Sequence, residues 1–378
     1  MSRRKSIKVL TIFGTRPEAI KMGPLVQALN AHPAFESHLC VTGQHREMLD
    51  QVLDIFDLMP QYDLSIMKPG QSLSHVTSRI LLGLEPIISE VKPDWVLVHG
   101  DTASTAAAAL AAYYQRVPVG HVEAGLRTHD IYSPWPEEVN RKIAGVVAAC
   151  HFAPTEKAKS NLLAENVSND TIIVTGNTVV DALFSTLERL ETSEALRKSI
   201  EDKLPVIDTQ KKLIVVTGHR RESFGAGFEN ICQALLELSQ RSDVQIIYPV
   251  HLNPYVKRVV SQTLSGQANI HLIEPLDYVA FLDLMTKAAI IITDSGGIQE
   301  EAPSLGIPVL VTRKTTERPE ALKSGTVKLV GHDKDMIVNQ ATHLLDNASA
   351  YKAMSDASNP YGDGKAVERI LSHLLSKS

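Results

Sequence analysis

The sequence predicts a two-domain α/β protein built on two parallel sheets. Three observations carry that prediction. The chain is 378 residues long, more than one compact core usually holds and about right for two domains. Short β-rich apolar runs alternate with longer segments of helical period, the pattern of parallel strands joined by crossover helices. Nearly every apolar run is followed at once by a cluster of glycine with charged or hydroxyl residues. In open parallel sheets, ligands bind outside the carboxyl ends of the strands.

The first series of predicted strands is Lys8–Phe13, His38–Thr42, Asp94–His99, Pro118–Val122 and His151–Ala153. A second series follows: Ile172–Thr175, Leu213–Thr217, Gln245–Val250, Ile270–Ile273, Ile290–Thr293 and Pro308–Thr312. The stretch Thr192–Lys212 is charged, contains Pro205 and has no clear period. The domain junction is placed just before it, near Gly176. The breaker cluster N-P-Y-G-D-G precedes a last helix from about Lys365, which would return to the first domain. The expected domains are therefore 1–175 with 363–378, and 176–362, with the active site in the cleft that the two sheets' carboxyl edges create.

Composition narrows the function. Hydrophobic residues make up 44% and charged residues 21%, ordinary globular values, and the net charge is -5. That balance argues against nucleic acid as a partner. Cys40, Cys150 and Cys232 form no C-x-x-C pair and read as buried small hydrophobes in a reducing, cytoplasmic setting. Arg3, Arg4 and Lys5 before an apolar run superficially suggest a signal peptide. The run is short, contains Lys8 and lacks a cleavage site, so a first buried strand is expected instead. No segment reaches the roughly 20 apolar residues of a membrane span.

The chemistry sits after the strands. D-S-G-G-I-Q-E-E-A opens a helix directly after I-I-I-T. Ser295, Gly296 and Gly297 would leave backbone N–H groups free for a diphosphate, and Glu301, one turn on, would reach ribose hydroxyls. The alternative is a plain glycine turn with a solvated Glu-Glu pair. The first strand ends in G-T-R-P-E-A-I-K, with no G-x-G-x-x-G, so a nicotinamide dinucleotide is not expected. Arg16 and Lys21 would instead face the ligand as cations, unless Arg16 pairs with Glu18. Asp101, Glu123 and Glu137 are candidate acids and bases: gathered carboxylates repel, and at least one should hold its proton more tightly. Alternatively Asp101 caps the Ala-rich helix after it. His219 and Arg220 follow another strand, His219 as a candidate donor to a leaving phosphate. The remaining histidines have no zinc spacing, so no metal is expected.

These residues lie in motifs that resemble the bacterial non-hydrolysing UDP-N-acetylglucosamine 2-epimerases: F-G-T-R-P-E-A-I-K-M, V-L-V-H-G-D-T, V-G-H-V-E-A-G-L-R-T, Y-S-P-W-P-E-E, T-G-N-T-V-V-D-A-L, T-G-H-R-R-E-S-F-G, Y-P-V-H-L-N-P and I-T-D-S-G-G-I-Q-E-E-A-P-S-L-G, nearly end to end. The resemblance implies a glycosyltransferase-B-like fold of two Rossmann-like domains, a homodimer, no cofactor, and a product that feeds surface polysaccharide synthesis. It implies that Arg16, Lys21, Asp101, Glu123, His219, Leu276, Phe281, Ser295, Gly296, Gly297, Glu301 and Arg318 contact the nucleotide sugar. Asp101, Glu123 and Glu137 match the family's catalytic carboxylates, and His219 completes the expected catalytic set. Gln44, His45, Glu137, Arg220 and His251 match a second site where relatives bind UDP-N-acetylglucosamine as an activator. Three departures stand out: Lys314 where relatives often have Asp, and Glu47 and Gly70 in place of Gln and Arg. A UDP-dependent glycosyltransferase, a hydrolysing epimerase and a silent nucleotide-sugar sensor are the competing readings.

Overall fold

A computed structural model describes residues 6–43, 46–68, 70–220, 223–316 and 318–377, without the side chains of residues 46–48. The chain divides into two compact units, 1–185 with 361–378, and 186–360. The expected boundary after residue 175 lies just before helix α7 (Thr178–Thr192), and the division falls within that helix.

The first unit is a seven-stranded parallel sheet in the order β3-β2-β1-β4-β5-β6-β7. Its strands are β1 (Ile7–Phe13), β2 (Phe35–Val41), β3 (Tyr62–Asp63), β4 (Trp95–His99), β5 (Val119–Val122), β6 (Cys150–Ala153) and β7 (Ile172–Val174). Strands covered on both faces read as unbroken apolar runs, which is why β1 and β4 are fully legible. Helices α1 (Arg16–Ala31), α2 (Arg46–Ile55), α3 (Leu73–Val91), α4 (Ala103–Tyr114), α5 (Glu137–Val147) and α6 (Glu156–Ala164) connect them. The strand at Ile172 pairs with β6 through His151↔Ile172 and Ala153↔Val174, so it closes the first sheet rather than opening the second series. The last helix, α16 (Ala366–Ser376), buries Ile370 and Leu374 in the same core as Val9, Leu25 and Ala182. Asp181 anchors it by accepting the N–H groups of Ala366 at 3.2 Å and Val367 at 2.9 Å.

The unpatterned stretch begins in α7 and continues as α8 (Glu194–Glu201), then as a loop through Pro205. The second unit is a six-stranded parallel sheet in the order β10-β9-β8-β11-β12-β13. Its strands are β8 (Lys212–Thr217), β9 (Val244–Pro249), β10 (Ile270–Ile273), β11 (Ile290–Thr293), β12 (Val309–Val311) and β13 (Val327–Leu329). Helices α9 (Ala226–Leu238), α10 (Pro254–Leu264), α11 (Tyr278–Thr286), α12 (Ile298–Glu301), α13 (Pro319–Ser324), α14 (Lys334–Asp346) and α15 (Ala348–Ser355) complete it.

Each sheet reverses its winding once, between β1 and β4 in the first unit and between β8 and β11 in the second. A reversal leaves a crevice outside the strand ends, the usual ligand position in such sheets. Cys40, Cys150 and Cys232 are free and buried, with burial pushing each thiol up to about 12. No helix among the described residues is long and apolar enough to cross a membrane.

Candidate active site

In the first unit, β1, β4 and β5 are neighbours, so the residues after each meet at one edge. Gly14 permits the tight exit from β1: a Cβ there would collide with the hydroxyls of Thr42 and Ser104. The chain then enters α1 at Arg16, which is half-buried. Glu18 does not serve as a partner for Arg16. Its carboxylate folds back to accept the Thr15 N–H at 2.8 Å and the Thr102 and Thr105 hydroxyls at 2.8 and 3.1 Å. Burial pushes that carboxyl upward against the pull of these donors.

Lys21, one turn further along α1, pairs with Oε2 of Glu123. Glu123 stands just after β5 in the left-handed region, with φ +61°. The same Oε2 accepts from Asn177 Nδ2 at 2.8 Å and lies 3.8 Å from His99 Nε2. His99 is fully buried, and desolvation lowers its ring to about 4, so it faces the carboxylate as a neutral imidazole at neutral pH.

Asp101 follows β4. Thr102, not Asp101, caps α4, its hydroxyl accepting the N–H of Thr105 at 3.1 Å. That leaves the Asp101 carboxylate to pair with Arg141, while Asn140 Nδ2 donates to the Asp101 carbonyl at 3.0 Å. Arg141 is held from its other side by buried Glu138 at 3.0 Å. Glu137 lies three and four positions before Asn140 and Arg141, hence on the same face of α5. Its Oε2 is buried without a hydrogen-bond partner among the described residues. Of the three expected carboxylates, Glu123 and Asp101 are thus paired with Lys21 and Arg141.

In the second unit, the residues after β8 and β11 form the corresponding edge. Asp294 accepts the backbone N–H groups of His219 and Arg220 on Oδ2 at 2.7 and 2.8 Å. Its Oδ1 lies 3.3 Å from His219 Nδ1. Burial alone would raise the Asp294 carboxyl, but the His219 ring and the backbone donors outweigh it and hold it below the usual range. His251 stacks on His219 with ring centroids 5.2 Å apart. Arg220 is half-buried, and Gln44 and His45 lie outside the described residues.

The Ser-Gly-Gly turn leads into α12, which has only four residues before passing into a 3-10 turn at Ala302–Leu305. Anion binding there would rest on local N–H groups more than on a helix dipole, which needs aligned turns to build up. The Arg318 guanidinium lies over Gly296, where an added Cβ would come within 2.9 Å of it. Arg318 Nε in turn donates to buried Glu300 at 2.9 Å. Glu301 is only 7% exposed and accepts from Tyr278 Oη at 3.0 Å, so the two glutamates are buried and partnered rather than a solvated pair. Phe281 lies three residues after Tyr278 on α11, and Leu276 sits half-buried in the loop before that helix. Lys314 is exposed beside buried Arg313.

Comparison with known proteins decides the family. The family model described as UDP-N-acetylglucosamine 2-epimerase matches residues 27–375. The chain belongs to the UDP-N-acetylglucosamine 2-epimerase family. It is 60% identical over 369 residues to the UDP-N-acetylglucosamine 2-epimerase of Escherichia coli strain K12, covering 97% of this chain and 98% of that one. The crystal structure of the Neisseria meningitidis UDP-GlcNAc 2-epimerase bound to UDP-GlcNAc is similar at 52% identity and a TM-score of 0.89, covering 98% of this chain and all of the other. The Methanocaldococcus jannaschii UDP-GlcNAc 2-epimerase in complex with UDP-GlcNAc and UDP is 34% identical, with a TM-score of 0.79 over 98% of this chain and all of that one. The glycosyltransferase-B-like class of two Rossmann-like units thus holds for this family member.

Sequence reasoning about sites did not single out His99, Arg141, Asn177 or Tyr278. Asn177 lies inside a glycine-containing motif directly after a strand, the signal that marked the other site residues. His99 and Arg141 carry no such signal.

Proposed function

We propose that this family member reversibly epimerises carbon 2 of UDP-N-acetylglucosamine, giving UDP-N-acetylmannosamine without releasing free sugar. The observation that carries the reading is the Glu137 carboxylate: one oxygen is buried without a partner among the described residues, on the helix whose Asn140 and Arg141 hold Asp101. An unsatisfied buried acceptor is costly to keep and is what a proton-transferring group needs.

The carbon 2 proton is barely acidic while UDP remains attached. Anti elimination resolves this: a carboxylate takes the proton, the C2–H electrons form the C1=C2 bond, and the C1–O bond breaks with its electrons leaving on UDP. The intermediate is 2-acetamidoglucal. Re-addition of a proton to the opposite face of carbon 2, and of UDP to carbon 1, gives the manno epimer. Glu137 and either Glu123 or Asp101 serve the two faces, and Arg16 and His219 balance charge on the departing diphosphate. Ser295–Gly297 and Arg318 hold the diphosphate, Glu301 the ribose, and Leu276 and Phe281 the uracil side.

The protein acts in the cytoplasm as a homodimer, its product passing to surface polysaccharide synthesis. The exposed side chains of Tyr113, Tyr114 and Val146 on α4 and α5 support self-association. Incubation with UDP-N-acetylglucosamine alone tests the activity. UDP-N-acetylmannosamine as the new sugar supports it. Free N-acetylmannosamine with UDP would indicate hydrolysis, and an unchanged substrate would point to a transferase or a sensor.

A further inference from the structure

The carboxylate of Glu123 is held by more than its lysine. Asn177, 2% exposed, donates from Nδ2 to Glu123 Oε2 at 2.8 Å. The orientation of this amide is forced. Its Oδ1 accepts the N–H of Val179 at 3.1 Å in the turn that opens α7, so the NH2 end must face the carboxylate. The backbone is equally fixed: the Asn177 N–H donates to the Tyr361 carbonyl at 2.7 Å. Gly176, at φ +87°, and Gly362, at φ +125°, let the two chain segments pass so closely that a Cβ on Gly176 would lie 3.3 Å from the Gly362 Cα. Glu123 Oε1 lies toward Gly100, where a Cβ would come within 3.5 Å of it.

We propose that Asn177 is a positioning residue for the reaction, holding Oε2 of Glu123 as an ionised acceptor so that Oε1 is presented on the side of Gly100 and Asp101. Lys21 from α1 and His99 from β4 also face Oε2. The inference rests on the reading of Glu123 as a reacting carboxylate. A donor to a carboxylate favours its charged form, so losing the Asn177 donor makes Glu123 easier to protonate. Turnover that needs the ionised group then fails at higher pH than before.

The experiment measures kcat for UDP-N-acetylglucosamine from pH 5 to 9 in Asn177→Asp and Asn177→Ser, each alone and with Glu123→Gln. Both substitutions keep an oxygen for the Val179 N–H, and Ser serves where Asp fails to fold. The expected result is a kcat reduced at least about tenfold at pH 7, with the acid limb of the profile moved upward, and little further loss when Glu123→Gln is already present. A merely structural role would lower the yield of folded protein without moving the limb. An unmoved limb and unchanged kcat in a folded variant would overturn the Asn177 assignment alone. Wild-type turnover in Glu123→Gln by itself would remove Glu123 from the reaction, and the proposal with it.

Discussion

Asp294 grips the segment that carries His219 at two points, its Oδ2 accepting the His219 N–H at 2.7 Å while its Oδ1 stands 3.3 Å from the ring nitrogen Nδ1. Backbone and ring are thus oriented by one buried carboxylate. Asp294→Asn keeps the size and removes the charge. Hydrogen bonds to charged groups contribute about 1.5–3 kcal/mol, or about ten- to a hundredfold in rate. Turnover should fall by that factor and the melting temperature should fall with it, since the same carboxylate holds the folded loop; steady-state kinetics with calorimetry checks both.

Glu137→Gln should leave UDP binding nearly intact and cut turnover by at least about a hundredfold, the scale of a lost general base. The substitution preserves shape at the buried Oε2. Turnover near the wild-type value would remove Glu137 from proton transfer.

Glu301→Ala should weaken UDP binding by about 1–3 kcal/mol, the loss of a charged acceptor for ribose hydroxyls. Because Tyr278 Oη donates to the same carboxylate at 3.0 Å, Tyr278→Phe should weaken binding in the same direction and by less. Calorimetry with UDP reads both, and unchanged affinity in Glu301→Ala would refute the ribose assignment.

Acid should destabilise the first unit through its buried histidines. Desolvation lowers His99 to about 4 and His121 to about 3, well below the value of 6.5 that an unfolded histidine keeps. Between about pH 6.5 and 4 the unfolded chain therefore binds protons that the folded chain refuses. Stability is fully present above that window and falls as pH is lowered through it. Glu123 and Lys21 face His99, and the Gly100 carbonyl, His151 and Arg127 act on His121. The melting temperature of His121→Gln should fall less between pH 7 and pH 5 than that of the wild type. Equal falls would contradict this origin of the acid sensitivity.

Much of this was readable in the sequence because buried parallel strands are dense in β-branched residues. β1, β4, β8 and β11 therefore announce themselves, and parallel topology brings the residues after them to one edge. What escaped was short or relational. β3 has two residues and β13 three, too few for any period to emerge. Ile172–Val174 looks like any apolar run, and only its pairing with β6 assigns it to the first sheet. The carboxylates were legible as types, but their partners were not. Nothing in the order of residues tells that Asp101 turns to Arg141, 40 positions away, or that Asn177 reaches back 54 positions to Glu123.

The central claim is proton exchange at carbon 2 through elimination of UDP and its re-addition. It is tested most directly by turnover of UDP-N-acetylglucosamine in deuterium oxide, without added nicotinamide or metal, followed by mass spectrometry of the epimer. The account predicts UDP-N-acetylmannosamine carrying one deuterium at carbon 2, because the abstracted proton passes to a carboxylate that exchanges with solvent. It also predicts traces of 2-acetamidoglucal and UDP, increased in variants that slow re-addition. Epimer formed without deuterium at carbon 2, or only when NAD is supplied, would contradict it.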